Sequence, residues 1–138
     1  MNTKRFFLAF VAAFFFVFGF EWLVHGVLLK ATYAALPQGL TRPPDDFGSH
    51  FHWLVLGQVI IIFMFTMIYV RGFATGGVGA GVRFGIMLGL LFVGSNLMVY
   101  CMQPYPGSLI AIWCVVGLIE MPLAGAIVGS VYKPSGNT

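Results

Sequence analysis

Four apolar runs, each of twenty or more residues and separated by polar or proline-containing breaks, leave this chain few ways to fold. They cover about Phe6–Leu29, His50–Val70, Arg83–Gln103 and Leu109–Tyr132. A helix rising 1.5 Å per residue needs about 20 apolar residues to cross the hydrocarbon core of a bilayer, and each run meets that length. Composition agrees: 8% of the 138 residues are charged, against about 25% in a soluble domain. The expectation is an all-α integral membrane protein, a single four-helix transmembrane domain over residues 1–138, with antiparallel neighbours. With so few charges, the formal net charge of +3 gives no reason to expect nucleic acid as a partner. The lipid bilayer is the first partner implied.

The breaks between runs carry the turn chemistry. Lys30–Ser49 holds Pro37, Pro43, Pro44, Asp45 and Asp46, and its Ala31–Leu36 portion reads as a short interfacial helix. Asp46 or Ser49 is the expected cap of the second spanning helix, and Ser108 that of the fourth. Arg71–Val82 is rich in glycine and reads as a flexible turn; Pro104-Tyr105-Pro106-Gly107 reads as a tight one. Met1–Arg5 with the Phe-rich run behind it has the layout of a signal peptide. Its length, about 24 residues, and the lack of a small-x-small cleavage site favour a retained span. The tail, Lys133–Thr138, reads as disordered.

Basic residues orient the spans. An inside N-terminus puts Lys4, Arg5, Arg71, Arg83 and Lys133 in the cytoplasm and Lys30 and Arg42 outside. That bias obeys the positive-inside rule and places both termini in the cytoplasm.

Packing is written in small residues. Gly77, Gly81, Gly85 and Gly89 recur every four residues, and Gly125 and Gly129 repeat that spacing, with Gly117 two turns earlier. Such rows let helix backbones approach, which replaces the hydrophobic drive that lipid does not provide. Gly81, Gly85, Gly89, Gly125 and Gly129 are the expected packing positions, joining the third and fourth helices or docking another protein. Cys101 and Cys114 lie too far apart in depth for a disulfide and read as small apolar residues.

Polar groups inside the spans are the candidate site. Glu21 and His25 are four residues apart and share a helix face. Glu120 lies near the middle of the fourth run and precedes Pro122, which has no N–H to give the helix. Gln58 and Asn96 fall at similar depth on the second and third runs. Since lipid satisfies none of them, Glu21, His25, Gln58, Asn96 and Glu120 are expected to form one cluster in the outer half of the bundle. The histidines raise a metal or haem reading. His25 with His50 or His52, plus Glu21, makes a weak three-ligand candidate; the better reading is interfacial histidines beside Trp22 and Trp53, with no metal and no cofactor. No nucleophile elbow, phosphate loop or CxxC motif occurs, and Gly76–Gly81 lacks the strand and lysine of a nucleotide loop. An enzyme is not expected.

Three segments resemble a group of small bacterial four-helix inner-membrane proteins that form an uncharacterised family: Glu21–Lys30 (EWLVHGVLLK), Gly81–Gly85 (GVRFG) and Gln103–Leu109 (QPYPGSL). The resemblance implies a bacterial inner-membrane location and carries no activity with it.

The leading expectation for function is an accessory or structural subunit of a larger membrane complex, such as a respiratory or photosynthetic one, because the chain has little mass outside its spans. The alternative is a small homo-oligomeric proton-coupled transporter using the buried carboxylates. A third is quinone or haem binding at the outer rim near His25.

Overall fold

The computed structural model describes residues 1–74 and 77–132. These form helix α1 (Thr3–Glu21), a π-helical segment (Trp22–Leu28), a short helix α2 (Lys30–Ala34), and helices α3 (Pro44–Gly72), α4 (Gly77–Met102) and α5 (Gly107–Val131). Four segments are long and apolar enough to cross a membrane: Thr3–Leu28, Pro44–Gly72, Gly77–Met102 and Gly107–Val131. Among the described residues there is no strand. The chain runs up α1, down α3, up α4 and down α5, which brings the two ends together. The backbone N–H of Asn2 donates to the Tyr132 hydroxyl at 3.2 Å, marking a terminal end of the bundle. The opposite, far end holds the π segment, α2 and the α4–α5 turn. The tail from Lys133 onward, which includes one of the orienting basic residues, lies outside the described residues, as does Gly76.

Helix limits differ from expectation in all four spans, the first starting at Thr3 rather than Phe6. The second spanning helix starts at Pro44 rather than His50, with Pro43 as its cap. Proline suits this first position because its missing N–H would be unpaired there anyway. Asp45 and Asp46 then sit in the first turn, where the helix dipole favours a negative charge. Asp46 bonds Arg42 at 2.6 Å, and Ser49 donates back to the Asp46 carbonyl instead of capping. The third spanning helix starts at Gly77 rather than Arg83, so most of the supposed flexible turn is helical. The fourth starts at Gly107, with Pro106 rather than Ser108 before it.

Glycine-on-glycine packing explains the early start of α4. A Cβ at Gly81 would lie 2.0 Å from the Gly125 carbonyl oxygen, and one at Gly125 would lie 2.0 Å from the Gly81 carbonyl oxygen. Gly85 is as tight against the Met121 carbonyl, at 2.2 Å, and Gly129 against that of Gly77, at 2.5 Å. Gly89 faces Gly117 at 3.1 Å. All five predicted packing glycines therefore lie in the α4–α5 contact. Backbone-to-backbone approach here outweighs the poor helix propensity of glycine.

The main core lies toward the terminal end. Phe6, Ala9, Ala13 and Val17 of α1 pack with Ile62, Phe65 and Tyr69 of α3, Phe84 of α4, and Met121, Ala124 and Val128 of α5. Phe84 holds α3 to α4 there, with ring centroids 4.8 Å from Phe65 and 5.0 Å from Phe73. The Tyr69 hydroxyl donates to the Gly77 carbonyl at 2.8 Å and secures the α3–α4 connection. Toward the far end the arrangement changes. A second cluster there, built on Val24, Leu29 and Leu109 with Phe20, Tyr33 and Trp113, comes from α1, the π segment, α2 and α5. There α3 leans on α1 through Phe51 against Phe18, while α4 stays on α5.

Candidate functional site

The site grows out of the end of the first spanning helix. After Glu21 the helix widens, and the N–H of Leu29 reaches the carbonyl of Val24 at 2.8 Å, five residues back. Such π turns are rare and often lie at functional sites. Leu29 ends this segment, and α2 turns Tyr33 back over His25; the two rings stack with centroids 5.9 Å apart. His25 Nε2 lies 3.0 Å from Glu21 Oε2, and its Nδ1 hydrogen-bonds the Tyr33 hydroxyl. From α5, Trp113 Nε1 donates to the same hydroxyl at 2.9 Å. Tyr105, in the α4–α5 turn, packs edge-on against Trp113 and donates to the Leu40 carbonyl at 3.1 Å, tying the α2–α3 loop to this end.

Glu120 closes the other side. Its side chain is buried, at 2% exposure, and meets the carboxyl group of Glu21 within hydrogen-bond reach. Its Oε1 has no hydrogen-bond partner, the single such buried side-chain atom among the described residues. Two carboxylate groups both only accept hydrogen bonds, so a contact between them requires a proton on one. The outcome is a continuous polar chain: Trp113, Tyr33, His25, Glu21, Glu120.

Donor chemistry sets the direction of that chain. An indole N–H only donates, so the Tyr33 oxygen accepts from Trp113 and its own proton is free to go to His25 Nδ1. A neutral His25 then carries its proton on Nε2 and donates it to Glu21. The Tyr33 phenol is held above its ordinary value near 10.0, mainly by burial; the Trp113 N–H opposes this, and the Glu21 and Tyr105 charges add to it.

Of the five predicted cluster residues, the structure joins Glu21, His25 and Glu120. Gln58 and Asn96 do not join: each is half-buried on its own helix, and neither side chain hydrogen-bonds another described residue. The physical reason is the far-end layout, in which α3 and α4 sit on opposite flanks of the α1–α5 pair. The weak metal candidates are also kept apart. His50 binds Ser49 at 2.8 Å and Asp46 at 3.2 Å, while His52 lies against Trp53. Among the described residues no group of three or more His, Cys, Asp or Glu side chains is placed to hold a metal ion.

Sequence reading missed Tyr33 and Trp113. A signal for Trp113 was present: it lies seven residues before Glu120, two helical turns away on the same face. Tyr33 had none, because its placement depends on the turn after the π segment.

These features define a multi-pass helical membrane protein with a paired-carboxyl site between its first and last spans. Comparison with protein-family models, with curated proteins and with solved structures found no match.

Proposed function

We propose that this protein is a small proton-coupled transporter of a bacterial inner membrane, working as an oligomer. The observation that carries the reading is the contact between Glu21 and Glu120, which links α1 to α5 through a proton the pair must share. Ionisable groups within a span are costly to keep and are commonly parts of ion or proton paths. Four helices make a thin wall, so copies of the chain complete the pathway. The basic residues Lys4, Arg5, Arg71 and Arg83, all near the terminal end, support an orientation with that end in the cytoplasm and the far end outside.

The test is proton movement in proteoliposomes holding a trapped pH dye, with a pH gradient imposed and the membrane potential clamped. Wild-type protein is expected to admit protons, and Glu120→Gln to lose at least tenfold of that rate. Equal leak from both proteins would remove the proposal.

A second reading, an accessory subunit of a larger membrane complex, is favoured by Gln58 and Asn96. Amides left without partners in a span call for donors and acceptors from another chain. Native mass spectrometry of gently solubilised source membranes separates the two readings. Under the second reading the 15.1 kDa chain travels with a larger assembly, and Gln58→Leu with Asn96→Leu releases it. Migration only as multiples of itself would reject the accessory role.

A further inference from the structure

We propose that, in the conformation described, the proton of the carboxyl pair rests on Glu120 and exchanges with the far face alone, through Glu21, His25 and Tyr33; the terminal side is reached only after the slower rearrangement that transport requires. The inference rests on the transporter reading for its purpose, but its geometry is separate. It says from which side the site is filled.

The asymmetry of the site is the argument. Toward the far end the site opens: Glu120 is 2% exposed, whereas Glu21 and His25 keep 39% and 32% of their side-chain surface. Toward the terminal end the polar side chains are buried and already engaged: Thr66 donates to the Ile62 carbonyl at 2.9 Å and Tyr69 to the Gly77 carbonyl at 2.8 Å, and neither hydrogen-bonds Glu120. Below Glu120 stand Met121, Ala124 and Val128 of α5, Val17 of α1 and Phe84 of α4, all nearly or fully buried and none able to relay a proton. The glycine contacts also clamp α4 to α5 from Gly77 to Gly89, with no room there even for a methyl group at Gly81 or Gly85. The proton belongs on Glu120 because Glu21 already accepts from His25 Nε2 and so has its charge partly met, while Glu120 has no other partner. A deeply buried carboxylate without donors is the costlier charge to keep.

The loading step balances. Water at the far face gives a proton to the Tyr33 oxygen as Tyr33 passes its own to His25 Nδ1. The imidazolium gives its Nε2 proton to Glu21, and Glu21 protonates Glu120. One proton enters, hydroxide stays at the far face, Tyr33 ends neutral and Glu21 ionised; His25 ends with its proton on Nδ1 and returns to the Nε2–H form by exchange with far-face water, which restores its bond to Glu21. The titratable groups facing the pair are His25 of the π segment and Tyr33 of α2; among the described residues, α3 and α4 bring none to it.

The experiment is infrared difference spectroscopy of the protonated-carboxyl band, on proteoliposomes sorted for one orientation by a tag at the terminal end. The pH is stepped on one side at a time. A step on the far side is expected to change the band at once, and Glu120→Gln to remove that change. His25→Phe is expected to slow it at least tenfold, because His25 is the group bonded to Glu21, and Tyr33→Phe to slow it less, because Tyr33 acts one step farther out through His25. A step on the terminal side is expected to leave the band unchanged over the same interval. Equal response from both sides overturns the proposal, as does a far-side response that His25→Phe leaves at full speed. Stepping the two sides of wild-type protein decides the sidedness even if a variant fails to fold. Far-side loading without net proton flux would sink the transporter reading and leave this one standing; flux with two-sided loading would do the reverse.

Discussion

Adding one methyl group at Gly81 tests the central packing contact of the fold. An alanine Cβ at this position would lie 2.0 Å from the Gly125 carbonyl oxygen, where ordinary contact begins near 3.4 Å, so the backbones must part by roughly 1.4 Å. A flexible side chain would swing aside, but a helix carbonyl has no such freedom. Overpacking of this kind costs about 1–3 kcal/mol. Alanine returns up to about 1 kcal/mol through its better helix propensity. The rigid obstacle places the cost near the top of its range, so Gly81→Ala is expected to lose about 2 kcal/mol. Gly94 of the same helix is the control, because a Cβ there meets nothing within 4 Å. Gly94→Ala is therefore expected to gain about 0.5–1 kcal/mol. Reversible unfolding in mixed micelles, followed by circular dichroism, measures both. A second substitution, Gly125→Ala, acts on the same contact, and once the helices have parted it should cost less than it does alone. The reasoning is refuted if Gly81→Ala is as stable as Gly94→Ala, or if the two interface substitutions add without interaction.

Three further outcomes follow from particular bonds. Tyr69→Phe removes the 2.8 Å hydrogen bond to the Gly77 carbonyl and leaves that acceptor under-satisfied. It should cost about 1 kcal/mol in the same unfolding assay, and no loss would mean that the bond does not secure the α3–α4 connection. In an ultraviolet pH titration, the tyrosine signal that appears above the ordinary value near 10.0 should fall by one residue in Tyr33→Phe. Because the folded value is the raised one, the associated stability is full below that ordinary value and is lost as the pH climbs through the folded value. Trp113→Phe takes away the N–H that supports the phenolate, so Tyr33 should then ionise at still higher pH; a shift downward would contradict the bond assigned between them.

How much of the site was legible depends on whether a residue's partner was local. Glu21 and His25 could be paired from a four-residue spacing, since helix geometry alone brings such positions together. The glycine rows were legible for a similar reason: a four-residue repeat of small residues lies on one face wherever the helix goes. Glu120 was recognisable as a group needing a partner, but nothing local named Glu21 as that partner. Gln58 and Asn96 show the limit from the other side. Their depth matched the cluster, yet depth says nothing about which flank of the bundle a helix takes.

The starts of α3 and α4 make the same distinction. Both helices begin about one and a half turns earlier than their apolar runs. Local rules explain the first case, where proline and two acidic residues fit an N-terminal turn. The second depends on α5, because Gly77–Val82 would be a poor helix without the carbonyls of Gly125 and Met121 against it.

Length, hydrophobicity and glycine spacing along the chain were enough to determine four spanning helices and the faces that pack, because each property acts over one or two turns. The order of helices around the bundle, the widened turn after Glu21 and the return of Tyr33 over His25 were decided only by tertiary structure. In a segment apolar on nearly every face, many packings bury similar area. The choice among them falls to a few close backbone contacts and to the partners that buried polar groups must find.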